Sequence, residues 1–135
     1  MMSDVTTNEL IENFSLFDDW EDRYRYIIEL GDQLPDMPEI YKSDENKVQG
    51  CMSQVWMHLQ KDDQGRFDFL ADSDAMIVKG LIAILKIIYA HKNQADIQDI
   101  NINGIFTELG LDQHLSPNRR NGFYAMVERI KKLSI

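Results

Sequence analysis

The sequence predicts an α+β domain in which several helices pack against a small antiparallel β-sheet. Apolar residues recur at helical spacing near both ends of the chain, and an alternating stretch with a turn lies between them. The composition, 44% hydrophobic and 10% aromatic, is that of a folded globular protein. A chain of 135 residues can bury roughly two-thirds of its unfolded surface. We therefore expect a single domain spanning residues 1–135.

Two amphipathic helices are predicted at the N-terminal end. Thr6 and Glu9 have the spacing of a capping box, and the apolar residues after them predict a helix over residues 7–17. Asp18 or Asp19 can cap a second helix, so a helical hairpin is expected. The acidic, proline-containing residues that follow, up to Asn46, predict a surface loop.

A β-hairpin is predicted in the middle of the chain. Residues 53–60 and 66–71 form its strands, and residues 62–65 provide the turn. Phe67 and Phe69 share one strand face, so helices are expected to cover that face.

The C-terminal half is predicted to be helical. Asp72 or Ser73 should cap the longest helix, residues 74–91, in which Gly80 indicates the close approach of another backbone.

Beyond it, residues 93–103 are polar and irregular in sequence, and a short helix over residues 105–109 should end at Gly110. Ser116 and Pro117 have the features of an N-cap and first position, and they predict a last helix up to about Leu133.

Charge and composition exclude several classes of function. The 14 Lys and Arg residues against 23 Asp and Glu residues give a net charge of −9, so we expect neither a nucleic-acid nor a membrane partner. The apolar stretch of residues 75–89 is shorter than the roughly 20 residues that span a bilayer. Residues 1–9 lack the features of a secretory or transit peptide, which predicts a cytoplasmic protein.

Cys51 is the single cysteine and the first candidate for chemistry. It follows Gly50 in a predicted loop at the entrance of a strand, where a side chain can be presented at a tip. A lone cysteine can equally be a small buried apolar residue. The polar neighbours Ser53 and Gln54 make such burial less usual, and both interpretations stay open on context alone.

Other kinds of site find little support. Cys51 and the three histidines, His58, His91 and His114, lack the close pairs of a zinc site. The chain has neither a phosphate-binding glycine motif nor a nucleophile elbow around Ser53.

The string Gln49-Gly50-Cys51-Met52-Ser53-Gln54-Val55-Trp56 resembles the SufE family of cysteine desulfuration proteins, the sulfur acceptors of iron–sulfur cluster assembly. The resemblance continues in order through three more blocks: residues 20–31, residues 72–83, and residues 114–119 with Gly122. The one departure within the cysteine motif is Met52, at a position where the family pattern is loose.

The resemblance implies a fold like that of the iron–sulfur scaffold IscU, with the reactive cysteine at a loop tip. It also implies that Cys51 takes sulfane sulfur from a pyridoxal-phosphate-dependent cysteine desulfurase of the SufS or CsdA type and stimulates that enzyme. The chain would be a covalent sulfur carrier rather than an enzyme, and it would need no cofactor. The sulfur would pass to an iron–sulfur scaffold or another acceptor. Scaffolding by this chain is disfavoured because it has one cysteine.

The resemblance assigns further residues to the site. Gly50, Gln49 and Ser53 would support the loop, and Gln54, Asp74 and Arg119 would lie near the docking surface. Arg119 is the best candidate for a salt link to the desulfurase.

Several alternatives remain open in the sequence. Cys51 could serve a thiol redox enzyme or sensor, or it could be incidental in a protein that regulates its partner by binding. Lys47 or the backbone of the Gly50 turn could activate the thiolate. The apolar neighbours Val48, Met52 and Val55 predict that the thiol is tucked against the domain until a partner docks. The cognate desulfurase and a homodimer also stay open.

Overall fold

The computed structural model describes residues 6–134 and confirms the α+β class. Its regular elements are, in chain order, α1 (Thr7–Ser15), α2 (Trp20–Asp32), β1 (Val55–Lys61), β2 (Phe67–Ser73), α3 (Met76–Tyr89), α4 (Gln94–Asp99), α5 (Ile102–Glu108), α6 (Leu111–His114) and α7 (Pro117–Leu133), with single 3-10 turns at Glu39–Tyr41 and Asp44–Asn46. We expected residues 1–9 not to be a targeting segment. Met1–Val5, which make up most of that stretch, lie outside the described residues.

The helices α1 and α2 begin at the predicted caps and pack together. The Thr6 hydroxyl accepts a hydrogen bond from the Glu9 N–H at 3.1 Å, and the cap of α2 is the second of the two candidates, Asp19. Between the helices, the Asn13 amide donates to the Tyr26 hydroxyl at 3.0 Å. The capping chemistry is local in sequence, which is why it could be identified in advance.

The strands β1 and β2 form the predicted antiparallel hairpin, with Val55 opposite Ser73 and Lys61 opposite Phe67. Buried side chains alternate with half-buried ones along β2, as expected for a sheet with one packed face. The Asp62 carboxylate closes the turn by accepting N–H hydrogen bonds from Gln64 and Arg66. The packed face of the hairpin meets α3.

The predicted start of α3 is wrong. The helix begins at Met76, with Ala75 at the cap position and no side-chain capping bond. Neither Asp72 nor Ser73 caps it because β2 continues to Ser73, and the Ser73 hydroxyl bonds the Ala75 N–H instead. At 14 residues α3 is also shorter than α7, which has 17.

Two glycines let α2 and α3 lie backbone to backbone. A Cβ atom on Gly80 would overlap the carbonyl oxygen of Ile27, and one on Gly31 would lie 2.6 Å from the backbone nitrogen of Gly80. The predicted close approach at Gly80 is therefore confirmed. This contact fixes α3, of which ten of the 14 residues are buried, at the centre of the core.

The prediction of an irregular segment over residues 93–103 is wrong. Asn93 caps α4 by accepting the Asp96 N–H at 2.8 Å, and Asn101 caps α5 by accepting the Gly104 N–H at 3.2 Å. The predicted short helix is thus α5, which begins at Ile102. Helices of six and seven residues are too short to establish a clear apolar periodicity, so their asparagine caps were the available signal.

The last helix agrees with its prediction. The Ser116 hydroxyl accepts the Arg119 N–H at 3.3 Å, Pro117 is the first helical residue, and the helix ends at Leu133. Within residues 6–134, none of the helices has both the length and the apolar character needed to cross a membrane.

Candidate functional site

Cys51 lies on a short loop, residues 48–55, which we call the Cys51 loop. The Val48 N–H donates to the Val55 carbonyl at 2.8 Å, and both valine side chains are buried. Gly50 has a φ of 91°, a left-handed conformation that suits glycine. The loop thus has a closed base and a tight turn, and the thiol follows directly after that turn.

Asp74 fastens the second limb of the Cys51 loop. Its carboxylate accepts the Gln54 N–H at 3.1 Å, and its own N–H donates to the Gln54 carbonyl at 3.3 Å. The Gln54 side chain points outward and is exposed. Asp74, expected near the docking surface, therefore also anchors the loop that carries the thiol.

The tip of the loop contacts α7 at Gly122. The Cys51 thiol donates a hydrogen bond to the Gly122 carbonyl, with 3.7 Å between sulfur and oxygen. A Cβ on Gly122 would lie 3.5 Å from the same sulfur. The sequence resemblance includes Gly122 but gives it no role, although a glycine inside a helix indicates a close approach, as it did at Gly80.

A cavity of about 450 Å³ opens beside the thiol. Its wall is formed by one limb of the Cys51 loop, the first half of α3 and the first half of α7, and its lining is mainly apolar: Ala75, Ile77, Val78, Leu81, Phe123 and Met126. Met52, of which 82% is exposed, also contributes to it. Sequence reasoning did not foresee this cavity, because its walls are distant in the chain.

Arg119 lies on the same cavity as the thiol. It is exposed in the first turn of α7, and its guanidinium lies 5.9 Å from the ring centre of Tyr24. Ser53 lines this cavity too. Of the predicted site residues, the fold therefore brings Cys51, Ser53 and Arg119 together, whereas Gln49 lines a different concavity on the other side of the loop.

Burial raises the pKa of the Cys51 thiol above its ordinary value. The Gly122 carbonyl also favours the protonated thiol, since it accepts a hydrogen bond from the S–H group. Lys47, suggested above as an activating cation, is paired with Trp56 in a β-bridge and does not contribute to this shift. The free chain therefore holds its thiol protonated.

We expect slow alkylation of Cys51 in the isolated protein at neutral pH. The raised pKa lowers the thiolate fraction at neutral pH, and partial burial slows access further. Because the shift is upward, the iodoacetamide rate should keep rising with pH beyond the midpoint of free cysteine. The free energy of unfolding should fall over that range, since the unfolded thiol ionises first.

The urea-unfolded chain is the control and should titrate like free cysteine. A folded-state midpoint at or below that of the unfolded chain would contradict the assignment of a stored, protonated thiol.

Each of the three histidines lies against another side chain. His114 stacks on Trp20 at 4.3 Å between ring centres, and His58 stacks on Tyr41 at 4.1 Å. His91 lies just after α3, with its Nε2 3.9 Å from an Asp68 oxygen. Across residues 6–134, no three His, Cys, Asp or Glu side chains gather at metal-binding spacing.

Known proteins resemble this chain in sequence and in fold. It is 47% identical over 130 residues to an uncharacterized SufE-like protein of Rhizobium meliloti, covering 94% of this chain and 93% of that protein. It is 44% identical over 131 residues to an uncharacterized SufE-like protein of Rhizobium etli, covering 95% and 88%. The solution structure of a hypothetical protein from Thermus thermophilus has the same fold, with a TM-score of 0.75 and 18% identity over 93% of this chain and 90% of that one.

A family model provides the assignment. The model for SufE, described as an Fe-S metabolism associated domain, matches residues 8–134. Cys51, its loop and all the residues that line its cavity lie inside that range. The chain therefore belongs to the SufE family and is associated with Fe–S metabolism.

Proposed function

We propose that Cys51 accepts sulfane sulfur from a pyridoxal-phosphate-dependent cysteine desulfurase of the SufS or CsdA type, stimulates that enzyme, and passes the sulfur on for iron–sulfur cluster assembly. The chain would act as one SufE-like domain over residues 1–135. The observation that carries the proposal is the position of the thiol, at the tip of a fastened loop beside an apolar cavity, in a member of a family associated with Fe–S metabolism.

The transfer is a thiol–persulfide exchange without net oxidation. The Cys51 thiolate attacks the outer sulfur of the desulfurase persulfide, the S–S bond breaks, and the enzyme cysteine leaves as thiolate. Cys51 becomes the persulfide. No co-reactant is needed, because the carbon–sulfur cleavage that supplies the sulfur belongs to the partner's pyridoxal phosphate.

The surroundings of Cys51 suit storage of such a persulfide. The cavity of about 450 Å³ has room for one added sulfur atom, and its apolar walls limit access of water and oxidants. A raised pKa makes the thiol a poor nucleophile while the chain is alone. The partner must therefore draw the loop outward or supply positive charge, and mixing with the desulfurase should accelerate alkylation of Cys51. Equal alkylation rates with and without the enzyme would count against this activation.

We predict that Arg119→Ala weakens stimulation of the desulfurase without unfolding the domain. Arg119 is exposed on the cavity that holds the thiol, where a guanidinium can pair with a carboxylate of the partner. The concentration of this protein that gives half-maximal stimulation should rise about tenfold, the loss expected when an arginine that is a binding hot spot is truncated. The measurement is alanine formation from L-cysteine at increasing concentrations of the variant.

Arg25→Ala provides the matched control, because Arg25 is an exposed arginine of α2 paired with Asp22 and lies outside the cavity. It should behave like the wild type. Equal curves for the Arg119 variant and the wild type would refute the docking role.

Two other functions make different predictions. A peroxide-reactive sensor needs a low-pKa, accessible thiol, whereas burial raises the pKa of Cys51. Peroxide consumption by the protein alone would favour the sensor. A protein that regulates its partner only by binding would keep its stimulation after loss of the thiol.

A further inference from the structure

A second concavity, which we call the basic groove, lies on the opposite side of the Cys51 loop. It has a volume of about 540 Å³ and is lined by Val48 and Gln49 of the loop, Gln98 of α4, and the second half of α7. Gly50 marks the boundary, since a Cβ there would contact the Ala125 side chain of α7 at 3.4 Å. One face of the loop therefore borders the apolar cavity and the other borders the basic groove.

The groove concentrates positive charge in an acidic protein. Among residues 6–134, Arg129, Lys131 and Lys132 line it together with one carboxylate, that of Glu128, in a chain of net charge −9. Arg129 is held in place, because its Nη2 donates to the Glu45 carbonyl at 2.7 Å. Cations in the last turn of a helix complement its dipole. That effect explains the two lysines by themselves, but it does not account for Arg129, which precedes the last turn of α7 and is held by the Glu45 carbonyl.

We infer that the basic groove binds an acidic peptide segment of the protein that takes sulfur from Cys51. Carboxylates complement the three cations, and the groove suits a short extended segment. Nucleic acid fits less well, since a long polyanion would be repelled by the remainder of the chain. The inference rests on the proposed function, and it assigns the two faces of the loop to different partners: the apolar cavity to the donor and the basic groove to the acceptor.

A segment bound in the groove lies against the N-terminal limb of the loop and leaves the apolar cavity uncovered. The cysteine of the acceptor reaches past the loop tip into that uncovered cavity, where its thiolate attacks the outer sulfur of the Cys51 persulfide. The S–S bond breaks, Cys51 leaves as thiolate, and the acceptor holds the persulfide. Sulfur, charge and electrons balance without an oxidant or reductant.

The test uses two synthetic cysteine peptides as acceptors, one with Asp and Glu flanking the cysteine and one with Asn and Gln at the same positions. Protein loaded by a desulfurase is purified, its added sulfur is verified by mass, and the loss of that sulfur to each peptide is followed with time. In low salt the acidic peptide should react about fivefold faster, and about 0.5 M salt should remove the advantage.

The variant that tests the groove is Lys131→Glu with Lys132→Glu, for which the ratio of acidic to neutral rates should fall to about one. Arg25→Glu with Lys61→Glu changes the net charge equally but lies outside the groove, and it should keep the wild-type ratio. Equal rates for both peptides with the wild-type protein, or the same loss of preference in both double variants, would overturn the inference.

If Cys51 accepts no sulfur, the proposed function is contradicted and the transfer experiment cannot be done. Peptide binding then tests the groove separately. A fluorescent acidic peptide without cysteine should bind the wild type and not the Lys131/Lys132 variant, as measured by anisotropy. No binding to the wild type contradicts the inference. A single-stranded oligonucleotide that displaces the peptide at equal or lower concentration contradicts it too, since the groove would then be a nucleic-acid site.

Discussion

Replacing Cys51 with Ser is expected to return a cysteine desulfurase of the SufS or CsdA type to its unstimulated turnover. A hydroxyl cannot take sulfur from a persulfide at neutral pH, because serine is not ionised and an oxygen–sulfur bond does not form by this exchange. The measurement is alanine formation from L-cysteine with increasing protein. The variant curve should stay flat, whereas the wild-type curve rises to a plateau.

The Cys51→Ser variant should remain folded, which makes its loss of function interpretable. The serine hydroxyl can donate to the Gly122 carbonyl as the thiol does, and the side chain is only half-buried. We expect thermal unfolding within a few degrees of the wild type. Undiminished stimulation by a folded variant would show that the protein regulates by binding and that the thiol is incidental.

Gly80→Ala is expected to have the largest effect on stability. The added Cβ would overlap the Ile27 carbonyl oxygen, so α2 and α3 must move apart. A backbone carbonyl in a helix cannot move aside as readily as the end of a flexible side chain. We expect a loss of about 3 kcal/mol in the free energy of unfolding, because overpacking outweighs the roughly 1 kcal/mol gained in helix propensity. Urea denaturation followed by circular dichroism measures it.

Gly122→Ala is the matched control, since it makes the same change in the interior of a helix. Its Cβ would lie 3.5 Å from the Cys51 sulfur, an ordinary packing distance, so the variant should keep or gain up to about 1 kcal/mol. Equal unfolding midpoints for the two variants would mean that the contact between α2 and α3 does not constrain the core as described.

Local chemistry determined which parts of the fold could be predicted. The caps at Thr6 and Ser116 bond residues three positions away, so sequence spacing alone revealed them. The start of α3 was missed because β2 continues to Ser73, so that neither Asp72 nor Ser73 caps the helix, and Asp74 bonds Gln54, 20 residues earlier. Such a pairing follows from tertiary structure and has no local signature.

The candidate site was predictable at its centre but not in its surroundings. The motif around Cys51 identified the thiol and the loop. The partner of that thiol is Gly122, 71 residues further along the chain, so the cavity between them emerges only when α7 packs against the loop. The raised pKa of Cys51 follows from this burial. Lys47 is near Cys51 in the sequence and suggested an activated thiolate, so the sequence did not predict a raised pKa.

The measurement that tests the central claim most directly is the mass of the protein after incubation with an active cysteine desulfurase and L-cysteine, without reductant. The account predicts gains of whole sulfur atoms, confined to the peptide that contains Cys51 and absent from Cys51→Ser. Desulfurases of both the SufS and CsdA types that are active yet add no sulfur to Cys51 would contradict it.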